Sequence, residues 1–370
     1  MNAFVPLVCR LAFALATGGV LGSAAAADRS KGPYSYAKIK VADDVYAFIE
    51  TKMHPIVSGN VIAVIGKDAT LVFDTGHHPP MARAIAEDIR QLDGKPVRYV
   101  AISHWHDDHW VGNAEFASRF PSAQFIAHPF TAELMDSRRD KFSGAPCKKA
   151  LQDEVRPARD QLAGGKKRDG SPLPDDIRAE LTDWIAAYDE QIREYDQMRY
   201  RGIDLTFDSA ITIDLGGRTV KLMHLGRGNT AGDIVAYVPD ARLLLTGDLL
   251  VYPVPFATQS YITEWALVLR KLDAMDVDVI VPGHGPVMHD RKYLDDVADL
   301  LEDISRQAHA VYKPGMSADE LRRQIDISAQ SDKFSHGDRF IKLNFDNLIG
   351  NTGIDRMWQE LSGEWKPEGD

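Results

Sequence analysis

The chain has 370 residues, of which 44% are apolar and 26% are charged, and its formal net charge is −11. This length and balance allow a sizeable buried core, and they exclude a disordered chain, a collagen-like chain and a membrane bundle. The excess of negative charge and the lack of a basic stripe argue against nucleic acid as a partner.

Residues 1–27 are typical of a secretory signal peptide. Arg10 carries the only charged side chain there, residues 11–21 form a short apolar core, and the small residues at 24–27 provide a cleavage site. The apolar core is shorter than the ~20 residues that cross a bilayer, so we favour removal of the segment over its retention as a membrane anchor. We therefore predict a periplasmic or secreted protein that begins near Asp28 and has no stable membrane span.

The next part of the chain alternates between strand and helix patterns. Residues 38–75 predict short strands with a turn at 66–68, residues 81–92 have the apolar spacing of a helix, and residues 97–103 predict a buried strand. This alternation indicates an α/β layered domain, which we place at residues 28–290.

Two stretches depart from the alternation. Residues 131–201 are rich in charge and carry apolar side chains at three- and four-residue steps, which predicts a helical hairpin inserted between two β-rich halves. We favour a hairpin packed on the main domain over a lid or a dimerisation arm. Residues 291–370 predict a helical extension, in which Ser317 and Glu320 have the spacing of a capping box.

Polar residues follow five predicted strands at the point where each strand ends. In layered α/β folds, loops at the carboxyl ends of strands converge on ligands. We therefore expect the five positions to meet at one edge of the domain. They are Asp74, His104, Asn229, Asp248 and His284.

The densest polar cluster is the run SHWHDDH at residues 103–109. In an extended segment His104 and His106 project to the same side, and a turn after them can present Asp108 and His109 to a neighbouring point. Zinc favours imidazole and carboxylate ligands, and a catalytic zinc keeps one position for a water whose pKa falls toward ~7. The cluster therefore indicates a hydrolytic metal centre.

These residues resemble the metallo-β-lactamase superfamily. The HxHxDH signature of that family stands at 104–109, and its other motifs look like FDTG at 73–76, GNTAGD at 228–233, TGD at 246–248 and PGHG at 282–285. The resemblance implies a four-layer αβ/βα sandwich and one or two zinc ions.

The resemblance also implies a role for each matching residue. A first metal would be held by His104, His106 and the third-motif residue, a second by Asp108, His109 and His284, and Asp248 would bridge the two. Asp108 would also orient the attacking hydroxide and relay its proton, and Asp74 would support the ligands from outside.

One position departs from the family pattern, because Asn229 stands where the third motif usually has histidine. A neutral amide oxygen suits zinc less well than imidazole does, so we expect a weaker first site and keep a one-metal enzyme built on the second site as an alternative. His224 is a candidate substitute ligand, although a packing role is favoured. His77 and His78 are further candidates, but such a pair is more typical of an exposed loop.

Three other residues are candidates for the substrate pocket. His54 lies where relatives carry a flap over the substrate, and the alternative is an ordinary exposed loop. Trp105 and Trp110 flank the ligands, and the alternative for both is core packing.

The family resemblance implies a hydrolase that cleaves an ester, thioester, lactone or related bond in a small molecule. Asp248 favours this reading, because many zinc β-lactamases have cysteine there. Hydrolysis of β-lactams stays an alternative, since residues 225–250 resemble the β-lactamase-type subgroup. A mononuclear iron enzyme that oxidises sulfur compounds and a non-catalytic zinc binder are further alternatives. Neither the substrate nor the oligomeric state can be predicted from the sequence.

Overall fold

The computed structural model describes residues 27–28, 35–51, 57–93, 95–141, 145–167 and 170–365. Two β-sheets form the centre of the described structure. The first sheet has eight strands in chain order, β1 to β8: Ala27–Asp28, Tyr36–Ala42, Val45–Glu50, Val61–Ile65, Thr70–Phe73, Val97–Ala101, Gln124–Ala127 and Leu205–Thr206. The second has the order β13-β12-β11-β10-β9, and β9 to β13 are Ala210–Asp214, Thr219–Met223, Val235–Val238, Leu243–Leu245 and Val279–Val281.

Helices cover both sheets. Helices α1 to α6 are Pro79–Asp93, Asp107–Trp110, Asn113–Arg119, Pro129–Arg138, Ala145–Gly164 and Asp175–Glu194. Helices α7 to α12 are Ile262–Asp273, Lys292–Val311, Ala318–Arg322, Ser328–Ser335, Arg339–Phe345 and Ile354–Ser362.

The apolar side chains sort into layers that explain the architecture. Inner faces of both sheets share one core, in which Ile62 and Phe73 of the first sheet join Leu222 and Leu245 of the second. Separate cores lie under the helices on the outer face of each sheet. Strands β4 and β5 are buried at every position, as expected for strands covered on both faces. The result is the four-layer α/β sandwich that the sequence predicted.

Strand direction brings the polar positions to one edge. Strand β6 pairs in parallel with β5 and with β7, and β12 pairs in parallel with β13, so the carboxyl ends of these strands point the same way within each sheet. Asp74 follows β5, His104 follows β6, Asp248 follows β12 and His284 follows β13.

Helices α5 and α6 occupy the stretch for which the sequence predicted a helical hairpin. Val155 and Tyr188 from these helices are buried in the same core as Phe116 and Trp110. The helices thus pack on the outer helical layer of the first sheet. Helix α4, which precedes them, begins at Pro129, two residues before the predicted start of the insertion.

The C-terminal helices pack on α7 and α8 and on the second sheet. Ile304, Phe345 and Met357 are buried in their shared core. The predicted capping box between Ser317 and Glu320 is confirmed, and the short helix α9 that it begins ends at Arg322. No helix among the described residues is long and apolar enough to cross a membrane. The predicted signal peptide lies outside the described residues except for Ala27, and the domain boundaries stay predictions.

Candidate metal centre

The histidine-rich loop connects β6 to α2. His106 precedes α2 in an extended conformation, and the short helix then turns Asp108 and His109 toward the same centre. All four ligand candidates of this loop, His104 included, are buried. Gly59 packs against them so closely that a Cβ there would stand 2.6 Å from the His109 ring. The loop therefore requires glycine at position 59.

Two loops of the second sheet complete the centre. Asp248 lies in the 3-10 turn Gly247–Leu249, and the amide of Gly283 donates to the carbonyl of Gly247 at 2.8 Å. A Cβ at Gly283 would stand 2.0 Å from Asp248 Oδ1, so only glycine fits there. Asn60 donates from Nδ2 to the carbonyls of Pro282 and Gly285 and so fixes the turn that carries His284.

One group of potential metal ligands is formed by Asp108, His109 and His284. His284 Nε2 lies 2.8 Å from Asp108 Oδ2 and 3.2 Å from His109 Nε2. The His109 Nε2 to Asp108 Oδ2 distance is 3.5 Å. These are the three residues that the family resemblance implied for a second metal, and the structure brings them together.

Asp248 lies between this group and His104. Its Oδ1 is 3.1 Å from His109 Nε2 and 3.5 Å from His284 Nε2, while its Oδ2 is 3.6 Å from His104 Nε2. His104, His109 and Asp248 form a second group that could hold a metal ion. From this position Asp248 would be able to contribute to a metal held by either group.

Hydrogen bonds from outside orient the ring of His109. Its Nδ1 donates to Asp74 Oδ2 at 2.8 Å, which turns Nε2 toward the centre. Asp74 also accepts from the Ser103 amide at 2.7 Å and from the Ser103 hydroxyl at 2.8 Å. The Ser103 oxygen in turn accepts from His104 Nδ1 at 2.9 Å, which leaves His104 Nε2 facing inward.

His106 is oriented by a different partner. Its Nε2 donates to Gln259 Oε1 at 2.8 Å, and its Nδ1 lies 2.8 Å from His104 Nε2. The Nε2 atom of His104 and the Nδ1 atom of His106 therefore lie close together, where both could contribute to one metal site. Neither group of three potential ligands includes His106.

The charges of the centre are strongly coupled. Burial lowers the pKa of His104 and of His106. Burial would also lower the pKa of His109, but the neighbouring Asp248, Asp108 and Asp74 outweigh it and raise that pKa. For Asp108 and Asp248, burial is outweighed by nearby imidazoles, which hold both pKa values below the usual range. The centre thus keeps its carboxylates ionised and favours positive charge among them.

The residues fit a divalent metal. Asp108 Oδ2 and Asp248 Oδ1 are buried oxygens without an aligned hydrogen-bond donor, although imidazole nitrogens surround them. Buried ionised carboxylates need a cation or donors, and the imidazole and carboxylate donor set is the one that zinc favours. The structure therefore supports metal binding by the imidazole and carboxylate groups of this centre.

Asn229, the residue at the third-motif position, is fully buried. Its Nδ2 donates to the carbonyl of Phe256, whose ring packs 5.5 Å from the His106 ring. Its Oδ1 has no hydrogen-bond partner among the described contacts. His224 instead donates from Nδ1 to the Asp233 carbonyl and stacks on another imidazole, so the structure does not bring it into either ligand group.

The paired histidines after the Asp74 turn are buried, so the expectation of an exposed loop is wrong. His77 Nε2 lies 3.5 Å from Asp107 Oδ2, and His78 Nδ1 lies 3.8 Å from Glu194 Oε2. The turn places both rings under α2 and the end of α6. Neither belongs to a ligand group.

The two candidate pocket tryptophans are buried in the core under the helices of the first sheet. Trp110 Nε1 donates to the Trp105 carbonyl at 2.7 Å, and the Trp105 ring lies 4.6 Å from the His106 ring and 4.5 Å from the Arg138 guanidinium. These contacts agree with the packing alternative. His54 lies outside the described residues.

Three contributors to the site were missed by sequence reasoning. Ser103 stands next to His104, and its hydroxyl beside a predicted ligand was a usable signal. Gln259 and Phe256 contact His106 from about 150 residues away. No local pattern marks them, because a tertiary contact alone gives them their role.

A layered α/β sandwich with a histidine and aspartate centre at the sheet edge defines a class of metal-dependent hydrolases. The family model "Metallo-beta-lactamase superfamily" matches residues 54–284, and the chain belongs to the metallo-β-lactamase superfamily. The helical extension lies beyond the matched residues.

Two curated relatives of this chain have different names, one an alkylsulfatase and the other a β-lactamase. "Linear primary-alkylsulfatase" from Pseudomonas sp. (strain ATCC 19151) is 23% identical over 282 residues, which are 70% of this chain and 48% of the alkylsulfatase. "Metallo-beta-lactamase type 2" from Elizabethkingia meningoseptica is 20% identical over 228 residues, which are 60% of this chain and 88% of that protein. The chain thus spans about half the length of the alkylsulfatase. Both relatives are hydrolases.

Solved structures agree on the fold. A metallo-beta-lactamase from Pontibacter korlensis has a TM-score of 0.50 and 20% identity, covering 72% of this chain and 99% of its own. The DIM-1 metallo-beta-lactamase has a TM-score of 0.50 and 16% identity, covering 72% and 97%. At these identities the likeness establishes the fold alone.

Proposed function

We propose that the chain is a zinc-dependent hydrolase that cleaves an ester-type bond in a small molecule, with thioesters, lactones and sulfate esters in the same class. The observation that carries the proposal is the convergence of inward imidazole nitrogens on two carboxylates in one buried centre. Each of the three loop imidazoles has its other nitrogen held from outside. A centre preorganised in this way is built to hold metal for chemistry.

Zinc in this centre would supply Lewis acidity and make a water nucleophilic near neutral pH. The residues around it have separable tasks. His104 and His106 face the first metal position, while His109 and His284 face the second. Asp108 Oδ2 points into the centre, where it would orient the nucleophile and accept its proton.

The substrate class rests on Asp248 and on the relatives. An aspartate at the bridging position fits hydrolases of esters and related bonds, and the alkylsulfatase, which by its name acts on a sulfate ester, matches 70% of this chain. Hydrolysis of β-lactams is the second candidate, because the Elizabethkingia β-lactamase matches 60% of the chain. We further propose export to the periplasm or the medium, on the pattern of residues 1–27.

The first experiment combines metal analysis with a substrate panel. The protein purified without chelator is analysed for zinc and iron, and it is then assayed with a nitrophenyl sulfate, nitrophenyl carboxylic esters and a chromogenic β-lactam. We expect zinc and turnover of at least one sulfate or carboxylic ester. Asp108→Ala should lower kcat/KM by about 10³-fold, because it removes both a ligand and the proton acceptor.

The outcomes separate the alternatives. Turnover of the β-lactam alone would replace the ester proposal with its second candidate. Iron in place of zinc would overturn the zinc proposal and favour the redox alternative. If the protein binds zinc but shows no turnover that depends on Asp108, the result would favour a non-catalytic zinc binder. Asp88→Asn, which changes a buried carboxylate in α1, serves as the matched control and should keep activity.

A further inference from the structure

We propose that the C-terminal helical extension is a working part of the first metal site. Residues 256–261 form a segment between the second sheet and α7, here called the bridging segment. Arg356 of α12 holds the bridging segment, and Gln259 of the segment holds His106. The inference rests on the proposed metal centre and makes Gln259 and Arg356 positioning residues for it.

The inner link is the contact between Gln259 and His106. The amide oxygen Oε1 can only accept, so His106 Nε2 must carry the proton that it donates over 2.8 Å. His106 Nδ1 then keeps its lone pair, and this nitrogen faces His104 Nε2. Without Gln259 the proton could reside on either nitrogen, and one of the two tautomers cannot bind metal through Nδ1.

The outer link is the buried guanidinium of Arg356. Its Nη2 donates to the Gln259 carbonyl at 3.1 Å, and its Nε donates to the Ser260 carbonyl at 2.9 Å. Its Nη1 donates to Gln359 Oε1 at 2.8 Å, one turn along α12. A planar fork with several fixed donors holds two successive carbonyls at a set spacing, which defines the path of the bridging segment.

The bridging segment also supports the altered third motif. Asn229 donates to the Phe256 carbonyl, and the Tyr261 amide donates to the Gly228 carbonyl at 2.8 Å. His106 and Asn229, two of the candidate residues for the first metal, therefore bond to one short segment. None of the described hydrogen bonds joins this segment to Asp108, His109 or His284.

Through the bridging segment, the extension would act on the first metal site and not on the second, which consists of Asp108, His109 and His284. The family model ends at residue 284, while Arg356 lies 72 residues further on. Gln259 lies inside the matched family region, but Arg356, which holds the bridging segment, lies outside it. This support acts on the metal site in which Asn229 stands where the family motif usually has histidine.

The test measures metal affinity rather than turnover. Gln259→Ala, Gln259→Glu and Arg356→Ala are compared with wild type by zinc competition against a chromophoric chelator and by the visible absorption of the cobalt-loaded protein. Met357→Ala is the matched control, because Met357 is the buried neighbour of Arg356 in α12 and belongs to the core under the extension. It should lower stability without changing the metal centre.

We expect Gln259→Ala and Arg356→Ala to weaken the weaker of two zinc sites about tenfold or more and to alter the cobalt spectrum, while the tighter site stays unchanged. Gln259→Glu should bind zinc at least as tightly as wild type, since a carboxylate also accepts from His106 Nε2 and makes the imidazole a stronger base. Equal affinities in wild type and Gln259→Ala, with one ion or two, would overturn the inference and leave the proposed function standing. Equal weakening by Met357→Ala would also overturn it. A wild type that binds no metal would refute the proposed function itself.

Discussion

The two halves of the metal centre differ in how they are built. The second half, Asp108, His109 and His284, is assembled from loops of the sandwich, and a buried carboxylate, Asp74, orients its central imidazole. The first half, by contrast, consists of His104, His106 and the third-motif residue. Here a neutral amide, that of Gln259, orients His106. A neutral residue, Asn229, also stands at its third-motif position.

This difference predicts unequal metal binding. A carboxylate partner raises the basicity of a ligating imidazole more than an amide does, and an imidazole is a better zinc ligand than an amide oxygen. The second half should therefore bind zinc first and more tightly. Changes to each half should then show whether the two are independent.

The largest effect is expected from Asp74→Asn, which attacks the stronger half. Asparagine keeps the shape, and its oxygen can still accept from the Ser103 amide, but its NH2 group would face His109 Nδ1. His109 would then keep Nδ1 as an acceptor and place the proton on Nε2, the nitrogen that faces the centre. We expect zinc affinity of the tighter site to fall 10–100-fold, measured by competition with a chelator.

Asp88→Asn is again the suitable control for the loss of a buried charge. In the wild type, Asp88 accepts from the Tyr36 hydroxyl at 3.0 Å, and none of the described hydrogen bonds joins Asp88 to the metal centre. If Asp74→Asn left the tighter site intact while Asp88→Asn also bound zinc normally, the carboxylate would not be what sets the strength of the second half.

The second prediction concerns the weaker half. Asn229→His restores the imidazole that the family motif carries, so the weaker zinc site should gain about tenfold in affinity. The larger side chain must give up the bond to the Phe256 carbonyl and fit a buried position, which should cost about 1–3 kcal/mol of stability. Zinc titration and urea unfolding measure the two effects.

Asn229→Ala is the companion variant. It removes the unpaired Oδ1 without adding a ligand. Weaker binding in this variant would mean that Asn229 already serves the first metal site, through its amide oxygen or through its bond to the Phe256 carbonyl. If Asn229→His gained no affinity, position 229 would not point at the metal, and the first half would have to rely on His104, His106 and Asp248.

Local patterns explain why much of this could be read from the sequence. Apolar runs ending in Asp74, His104, Asp248 and His284 mark buried strands with polar ends, and parallel pairing then brings those ends together. The start of helix α9 is predicted by a capping box that spans four residues, from Ser317 to Glu320. Signals of this kind depend only on near neighbours along the chain.

The rest could not be read because it depends on distant contacts. His77 and His78 look like loop residues before two prolines, yet α2 and α6 bury them. Gln259 and Arg356 have no motif of their own, and their roles come from contacts with residues about 100 or more positions away. Sequence reasoning therefore identified the candidate ligands and their support by Asp74, but not the roles of Gln259 and Arg356.

The smallest effect separates His224 from the centre. His224 and His128 stack with ring centroids 4.2 Å apart, and burial together with the charge of His224 lowers the pKa of His128 to about 4. Asp208 opposes this shift for His128, and Glu264 lies within electrostatic range of His224. If His224 is a stacking partner and not a ligand, His224→Asn should leave zinc stoichiometry unchanged and alter only the dependence of stability on pH.

The sign follows from proton binding. Between the ordinary pKa of 6.5 and the folded value of about 4, the unfolded chain takes up a proton at His128 that the folded chain does not, so stability is lost as the pH falls through this window. His128→Asn keeps an acceptor for the Phe130 amide and cannot titrate, so it should lose about 1 kcal/mol less than wild type between pH 7 and pH 4.5, after allowance for solvent screening. His224→Asn should give a smaller change in the same direction. Urea unfolding at both pH values, with chelator present throughout, cancels the titration common to all three proteins. A loss of bound zinc in His224→Asn would instead make His224 part of the first half and reduce the contrast between the two halves.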